Sequence, residues 1–178
     1  MKLLGAIIAG GGSRRFGGDK AAALLNGRAL IDHVADALAP QVDALIVCGR
    51  DWPGMHSVAD RPMTAMGPLG GLCAALHYAA QHEYDAVLTA GCDVLPVPDF
   101  RALAGPTASV VKNHWLFGIW PASLAAALDH HLATQTDRSM RHWIATSGAH
   151  EVACGTRFHN LNTRADFALY SASEGLAA

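Results

Sequence analysis

The chain has 178 residues, a formal charge of −2, 51% hydrophobic residues and only 16% charged ones. That length suits one domain, expected over residues 1–178, with a sizeable core. The composition argues against disorder, and the near-neutral balance argues against general affinity for nucleic acid or an anionic membrane. No apolar run approaches the roughly 20 residues that span a bilayer, and a cytoplasmic protein is expected.

In chain order, Leu3 to Ala9 is a continuous apolar run ending in glycines, which predicts a parallel strand buried on both faces and then a turn. A weak signal peptide is the alternative for this start, but the run passes straight into a glycine-rich loop. Arg28 to Leu38 has the spacing of an amphipathic helix, ended by Pro40. Ala44 to Cys48 is a second strand. Asp51 to Pro68 is turn-rich, with no element assigned. Gly71 to Gln81 predicts a helix and Ala86 to Ala90 a third buried strand leading to Asp93. A short helix is expected over Asp99 to Leu103, and strands over Ser109 to Lys112 and Leu116 to Trp120. Helices are expected over Pro121 to Leu132, near Ser139 to Thr146, and over Thr163 to Tyr170. Glu151 to Ala153 is a last short strand. The alternation predicts a three-layer, Rossmann-like α/β fold whose mostly parallel sheet has helices on both faces. Ligands in such folds bind outside the carboxyl ends of the strands. The glycine loop, the exit Cys48-Gly49-Arg50 and Asp93 are therefore the places of interest.

The four cysteines form no Cys-x-x-Cys pair, so neither a zinc site nor a redox pair is indicated. The ten histidines are scattered and are read as surface or packing residues.

The loop Ala9-Gly10-Gly11-Gly12-Ser13-Arg14-Arg15-Phe16-Gly17-Gly18-Asp19-Lys20 fails two common phosphate motifs. Gly-x-Gly-x-x-Gly fails because Arg15 stands where the third glycine is needed. Gly-x-x-x-x-Gly-Lys fails because Gly18 follows Gly17. Glycines followed by Arg15 and Lys20 still suit a polyphosphate. A tight turn with solvated basic residues is the alternative. Asp93 at a strand end is read either as a metal ligand or as a turn or helix-capping residue.

This segment resembles the Ala-Gly-Gly-x-Ser-x-Arg-x-Gly-x-Asp-Lys signature of the molybdenum cofactor guanylyltransferases. The resemblance continues through Asn26-Gly27, Asp60, Gly67-Pro68-Leu69-Gly70-Gly71-Leu72, Cys92-Asp93-Val94-Leu95-Pro96 and Asn160-Leu161-Asn162-Thr163, so it spans nearly the full length. It implies an enzyme that transfers GMP from GTP to the terminal phosphate of molybdopterin with Mg²⁺, releasing pyrophosphate. It also implies roles for particular residues. Ile8, Ala9, Gly10 and Gly11 hold the nucleotide. Lys20 and Arg15 offset phosphate charge, and Asp93 binds the metal. Asp60, Gly67, Pro68 and Leu69 lie toward the guanine and ribose. Asn160 and Asn162 contact the pterin substrate or the phosphates. Other cofactor-biosynthesis proteins and acceptor enzymes are possible partners. The sequence departs from the pattern at Cys48, where the family often has Asn, and in the proline spacing after Asp93. Arg138 and Arg141 lie in a stretch that is hard to align but suit an anionic pterin phosphate. His114 and Trp115 are weaker candidates for the pterin side. The alternatives are a cytidylyltransferase for the same cofactor, a sugar-phosphate nucleotidyltransferase, or a non-catalytic nucleotide- or pterin-binding domain.

Overall fold

The computed structural model describes residues 1–10, 19–64, 66–103, 105 and 107–175. In chain order the elements are β1 (Leu3–Ile8), β2 (Leu24–Leu25), β3 (Arg28–Ala29), α1 (Leu30–Leu38), β4 (Ala44–Cys48), β5 (His56–Val58), α2 (Pro68–Gln81), β6 (Ala86–Gly91), β7 (Val94–Leu95), β8 (Ser109–Val111), β9 (His114–Pro121), α3 (Ala125–Thr134), α4 (Met140–Ser147), β10 (His150–Val152), β11 (His159–Asn160) and α5 (Arg164–Gly175). A seven-stranded sheet runs in the order β10-β8-β9-β6-β1-β4-β5. The pairs β1–β4, β1–β6, β4–β5 and β10–β8 are parallel. Only β9 runs antiparallel to its neighbours, β6 and β8. The mostly parallel α/β architecture read from the sequence is the one observed.

The strands alternate between two cores, because successive side chains point to opposite faces. Leu4, Ala6 and Ile8 of β1 pack with α2, α3 and α4 on one face. Ile7 and Ala9 pack with α1 and α5 on the other. Helix α1 presents Leu30, Ile31, Val34 and Leu38 to that second core, all fully buried. Helix α4 is bounded by Ser139, whose side chain accepts from the His142 N–H, and by Gly148 in the left-handed region, a common way to close both ends of a helix.

The structure differs from the sequence reading in several places: β7 and β11 are two further short strands, β9 runs from His114 to Pro121, and α3 starts at Ala125 after a 3-10 turn over Ala122–Leu124. Helix α1 starts at Leu30, because Arg28 and Ala29 pair with Leu25 and Leu24 in a small hairpin. Asn26 and Gly27 both have positive φ (51° and 81°), the signature of a two-residue hairpin turn. The turn-rich stretch holds β5, an edge strand paired parallel to β4. Helix α2 begins three residues earlier than expected, with Pro68 in its first turn, where its fixed φ and missing N–H cost nothing.

At the carboxyl end of the sheet, β1 and β4 leave side by side. The Ala9 N–H donates to the Cys48 carbonyl and the Gly49 N–H donates to the Val58 carbonyl. Gly49 has φ +85°, and a Cβ there would lie 2.6 Å from Gly10 Cα and 2.7 Å from Asp60 Oδ1. Both the backbone angle and the space demand glycine. Gly49→Ala should destabilise the fold by about 2 kcal/mol or more, read as a fall in urea midpoint. An unchanged midpoint would mean that the Gly10–Gly49 approach is not a constraint.

Candidate active site

Beyond the carboxyl ends of β1 and β6, a cavity of about 210 Å³ is lined by Ile8, Ala9, Gly10, Lys20, Ala21, Arg50, Gly67, Pro68, Cys92, Asp93 and Leu116. Seven of the residues singled out from the sequence therefore meet there: Ile8, Ala9, Gly10, Lys20, Gly67, Pro68 and Asp93. Gly11 and Arg15 lie outside the described residues. Leu69 does not line the cavity, because its side chain is fully buried against the sheet in the α2 core.

Lys20 sits at the centre of the site. Its side chain is only 12% exposed, and Nζ lies 3.4 Å from Asp93 Oδ2. It also donates to Asn162 Oδ1 at 2.6 Å. Backbone pairing fixes the distance between these partners. Strand β7, directly after Asp93, pairs with β11 so that Asn160 faces Val94 and His159 faces Leu95. The Leu161 N–H then donates to the Asp93 carbonyl at 2.8 Å, and the Leu161 side chain is fully buried. Asp166 Oδ2 accepts from the N–H groups of Asn162 and Thr163 and holds the start of α5. Both asparagines are exposed, and Asn162 is the one that hydrogen-bonds the lysine.

A second depression, of about 390 Å³, adjoins the first and shares Gly10 and Arg50 with it. Asp60 lies here. It is buried, and Oδ1 has no hydrogen-bond partner among the described residues. Burial pushes its carboxyl above the usual range. The carboxylate lies against the backbone of Gly10 and Gly49.

Arg50 is the residue whose part the sequence did not reveal. It grips the two oxygens of Asp19, next to Lys20, in a two-pronged ion pair with Nη1–Oδ1 at 2.6 Å and Nη2 on Oδ2. The guanidinium holds the Asp19 carboxyl below its ordinary range. Arg50 Nε is buried without a partner among the described residues. The signal available was the strand exit Cys48-Gly49-Arg50, but the partner lies 31 residues away. Cys48 itself is fully buried, its thiol pushed up to about 12 by desolvation, and it is not among the residues lining either depression.

The remaining sequence candidates lie elsewhere. Trp115 Nε1 donates to Glu151 Oε1 at 2.6 Å, and the Arg141 guanidinium lies 5.5 Å from the Trp115 ring centre. They line an open groove on the α4 and β10 side with Asn113 and His150. Arg138 packs near Met66, and the His114 ring packs against Phe158.

The site thus presents a cation, a half-exposed carboxylate, glycine backbone and an amide around one cavity at strand ends. Residues 5–152 match the family described as the MobA-like NTP transferase domain. The chain belongs to that family. It is 37% identical to the molybdenum cofactor guanylyltransferase of Cereibacter sphaeroides over 94% of this chain and 95% of that one. In fold it is similar to molybdopterin-guanine dinucleotide biosynthesis protein A from Archaeoglobus fulgidus, with a TM-score of 0.74, 19% identity, and 97% and 99% of the two chains covered. It is also similar to UDP-glucose pyrophosphorylase from Acinetobacter baumannii, with a TM-score of 0.72, 13% identity, and 99% and 94% covered.

Because burial raises the folded pKa of Asp60, its ionisation works against folding. The favourable contribution is complete below the ordinary carboxylate range and is lost as pH rises through the raised value. Asp60→Asn should stabilise the ligand-free protein at pH 7 by about 1–3 kcal/mol, with a smaller gain at pH 4. A melting temperature at pH 7 equal to or below that of the parent protein would contradict an unpaired buried carboxylate.

Proposed function

We propose that this chain acts in the cytoplasm as a single nucleotidyltransferase domain. It transfers GMP from GTP to the terminal phosphate of molybdopterin and releases pyrophosphate. The observation that carries this reading is the meeting of Lys20 and Asp93 at 3.4 Å over a cavity floored by Ile8, Ala9 and Gly10. The strong similarity to guanylyltransferases across nearly the whole chain selects the nucleotide and the acceptor.

In the proposed reaction an oxygen of the acceptor phosphate attacks the α-phosphorus of GTP. One phosphorus–oxygen bond forms and the bond to the β-phosphate breaks. Both partners are anions, so the protein's task is to hold them in line and offset their repulsion. Lys20 offers its ammonium to the triphosphate and the departing pyrophosphate. Arg15 is proposed to add a second cation. The main chain of Ile8 to Gly11 lies along the nucleotide, and Gly67 and Pro68, with the backbone of Leu69, border the base. Asp60 supplies an acceptor for the guanine or ribose, which would give its unpaired oxygen a donor. Asn162 and Asn160 face the acceptor side.

The donor set fits a hard divalent cation. Asp93 is a half-exposed carboxylate beside a cavity sized for phosphates, and Mg²⁺ takes one or two carboxylates together with phosphate oxygens. Such an ion would be held by Asp93 and would supply charge neutralisation at the reacting phosphates, while Lys20 would offer its ammonium to the nucleotide. Enzymes that accept the finished cofactor, and other proteins of its biosynthesis, are proposed as partners.

The test is a purified assay of pyrophosphate release with molybdopterin, Mg²⁺, and either GTP or CTP. GTP should support turnover and CTP should not. Lys20→Ala should lower kcat by about 100-fold or more, the scale of losing one preorganised charge-stabilising donor. Turnover with CTP alone would identify a cytidylyltransferase. Nucleotide binding without pyrophosphate release would identify a binding domain.

A further inference from the structure

Helix α2 leaves the cleft at Pro68 and carries, further along, Cys73 and His77. Residues four apart on a helix share one face, and here that face meets α3. Asp129 of α3 reaches both of them. Cys73 Sγ donates to Asp129 Oδ1 at 3.1 Å, and His77 Nε2 donates to Asp129 Oδ2 at 2.6 Å. The sulfur, the imidazole nitrogen and a carboxylate oxygen all lie within 4.8 Å of one another. Cys73 is fully buried, while His77 and Asp129 form a rim open to solvent. None of the three lines the nucleotide cleft.

We propose that Cys73, His77 and Asp129 form a second metal site, for a zinc-class divalent cation, that ties α2 to α3. The ligand set is one thiolate, one imidazole and one carboxylate, which suits zinc in both charge and softness and does not suit Mg²⁺. Zn–S near 2.3 Å and Zn–N or Zn–O of about 2.0–2.2 Å place tetrahedral donors roughly 3.3–3.7 Å apart. The present contacts of 2.6 and 3.1 Å are two hydrogen bonds to different oxygens of Asp129, so a shared ion requires these contacts to open by less than about 1 Å and the sulfur and imidazole nitrogen, within 4.8 Å of each other, to adjust around it. On binding, the thiol proton leaves to solvent, and the imidazole proton moves from Nε2 to Nδ1 so that Nε2 presents its lone pair. Thiolate and carboxylate together cancel the charge of the ion, so no net charge is buried. Burial and the Asp129 carboxylate push the Cys73 thiol up to about 12, which the Arg61 guanidinium only partly offsets, so the ion must displace the thiol proton. The fourth position opens past the rim of His77 and Asp129.

The test uses the full chain, reduced and stripped of metal, titrated with Co²⁺ and then with Zn²⁺. One equivalent of Co²⁺ should produce the visible bands of four-coordinate cobalt and a near-ultraviolet thiolate charge-transfer band. Zn²⁺ should then abolish both. Cys73→Ser should lose the charge-transfer band. His77→Ala removes a rim side chain, with little risk to the fold, and should weaken binding by at least about 100-fold, beyond the 10–100-fold typical of losing an outer partner. Zn²⁺ should also raise the melting temperature of the parent protein but not of His77→Ala. Asp93→Ala should bind Co²⁺ unchanged, which separates this site from the proposed nucleotide-linked metal. Absence of the charge-transfer band in the folded parent protein, or its survival in Cys73→Ser, would overturn the assignment, as would unweakened binding in His77→Ala.

Discussion

Lys20 carries a full charge into a place where little water reaches it, and such a charge must be met by partners. Asp93 and Asn162 meet it, one from the middle of the chain and one from near its carboxyl end. Their positions depend on the register of the sheet. β1 delivers the glycine loop and β6 delivers Asp93, one strand over. The short pairing of β7 with β11 brings Asn162 back to the same point from near the carboxyl end. One ammonium thus holds together three stretches that no local propensity would bring near each other. The C-terminal segment is part of the site and not an appendage to it.

The same economy of charge extends along the rim. The guanidinium of Arg50 holds Asp19, directly beside Lys20, so the loop's basic end is anchored to the exit of β4. The close approach of Gly10 to Gly49 lets Asp60 sit against backbone with no side chain between. Among the described residues, Lys20 and Arg50 are thus paired with carboxylates while Asp60 Oδ1 has no partner. On the proposed reaction, nucleotide and metal exchange these partners: phosphate for Lys20, metal for Asp93, a base or sugar donor for Asp60. A fold that stores its charges in this way gives up some stability when empty and recovers it on binding.

The architecture was legible where burial on two faces writes a long apolar run. Leu3 to Ile8, Ala44 to Cys48 and Ala86 to Gly91 could be read as central strands because helices cover both sides of them. Strand β5 was not legible: His56-Ser57-Val58 is short, polar and on the sheet edge, so it has no periodicity to show. The Asn26-Gly27 turn carried a hairpin signal, but the strands it joins are two residues each, and the helical pattern that follows drew Arg28 and Ala29 into the helix. In the site, the glycines, Lys20, Asp93 and Asn162 were legible because each stands in a motif with fixed neighbours. The Arg50–Asp19 pair was not, because an ion pair across 31 residues leaves no local mark. Nor was the grouping of Cys73, His77 and Asp129. Reading the cysteines for Cys-x-x-Cys spacing indicated no zinc site, whereas the structure supplies the third group from another helix 52 residues away from His77.

In the proposed reaction Lys20 and Asp93 form a paired site that opens to a metal-bound triphosphate. Calorimetric titration of GTP, with and without Mg²⁺, on the parent protein and on Asp93→Asn tests this most directly. The account predicts that Mg²⁺ tightens GTP binding to the parent protein and that Asp93→Asn, folded and still binding GTP, loses the Mg²⁺ increment. An increment of equal size in both proteins would contradict it.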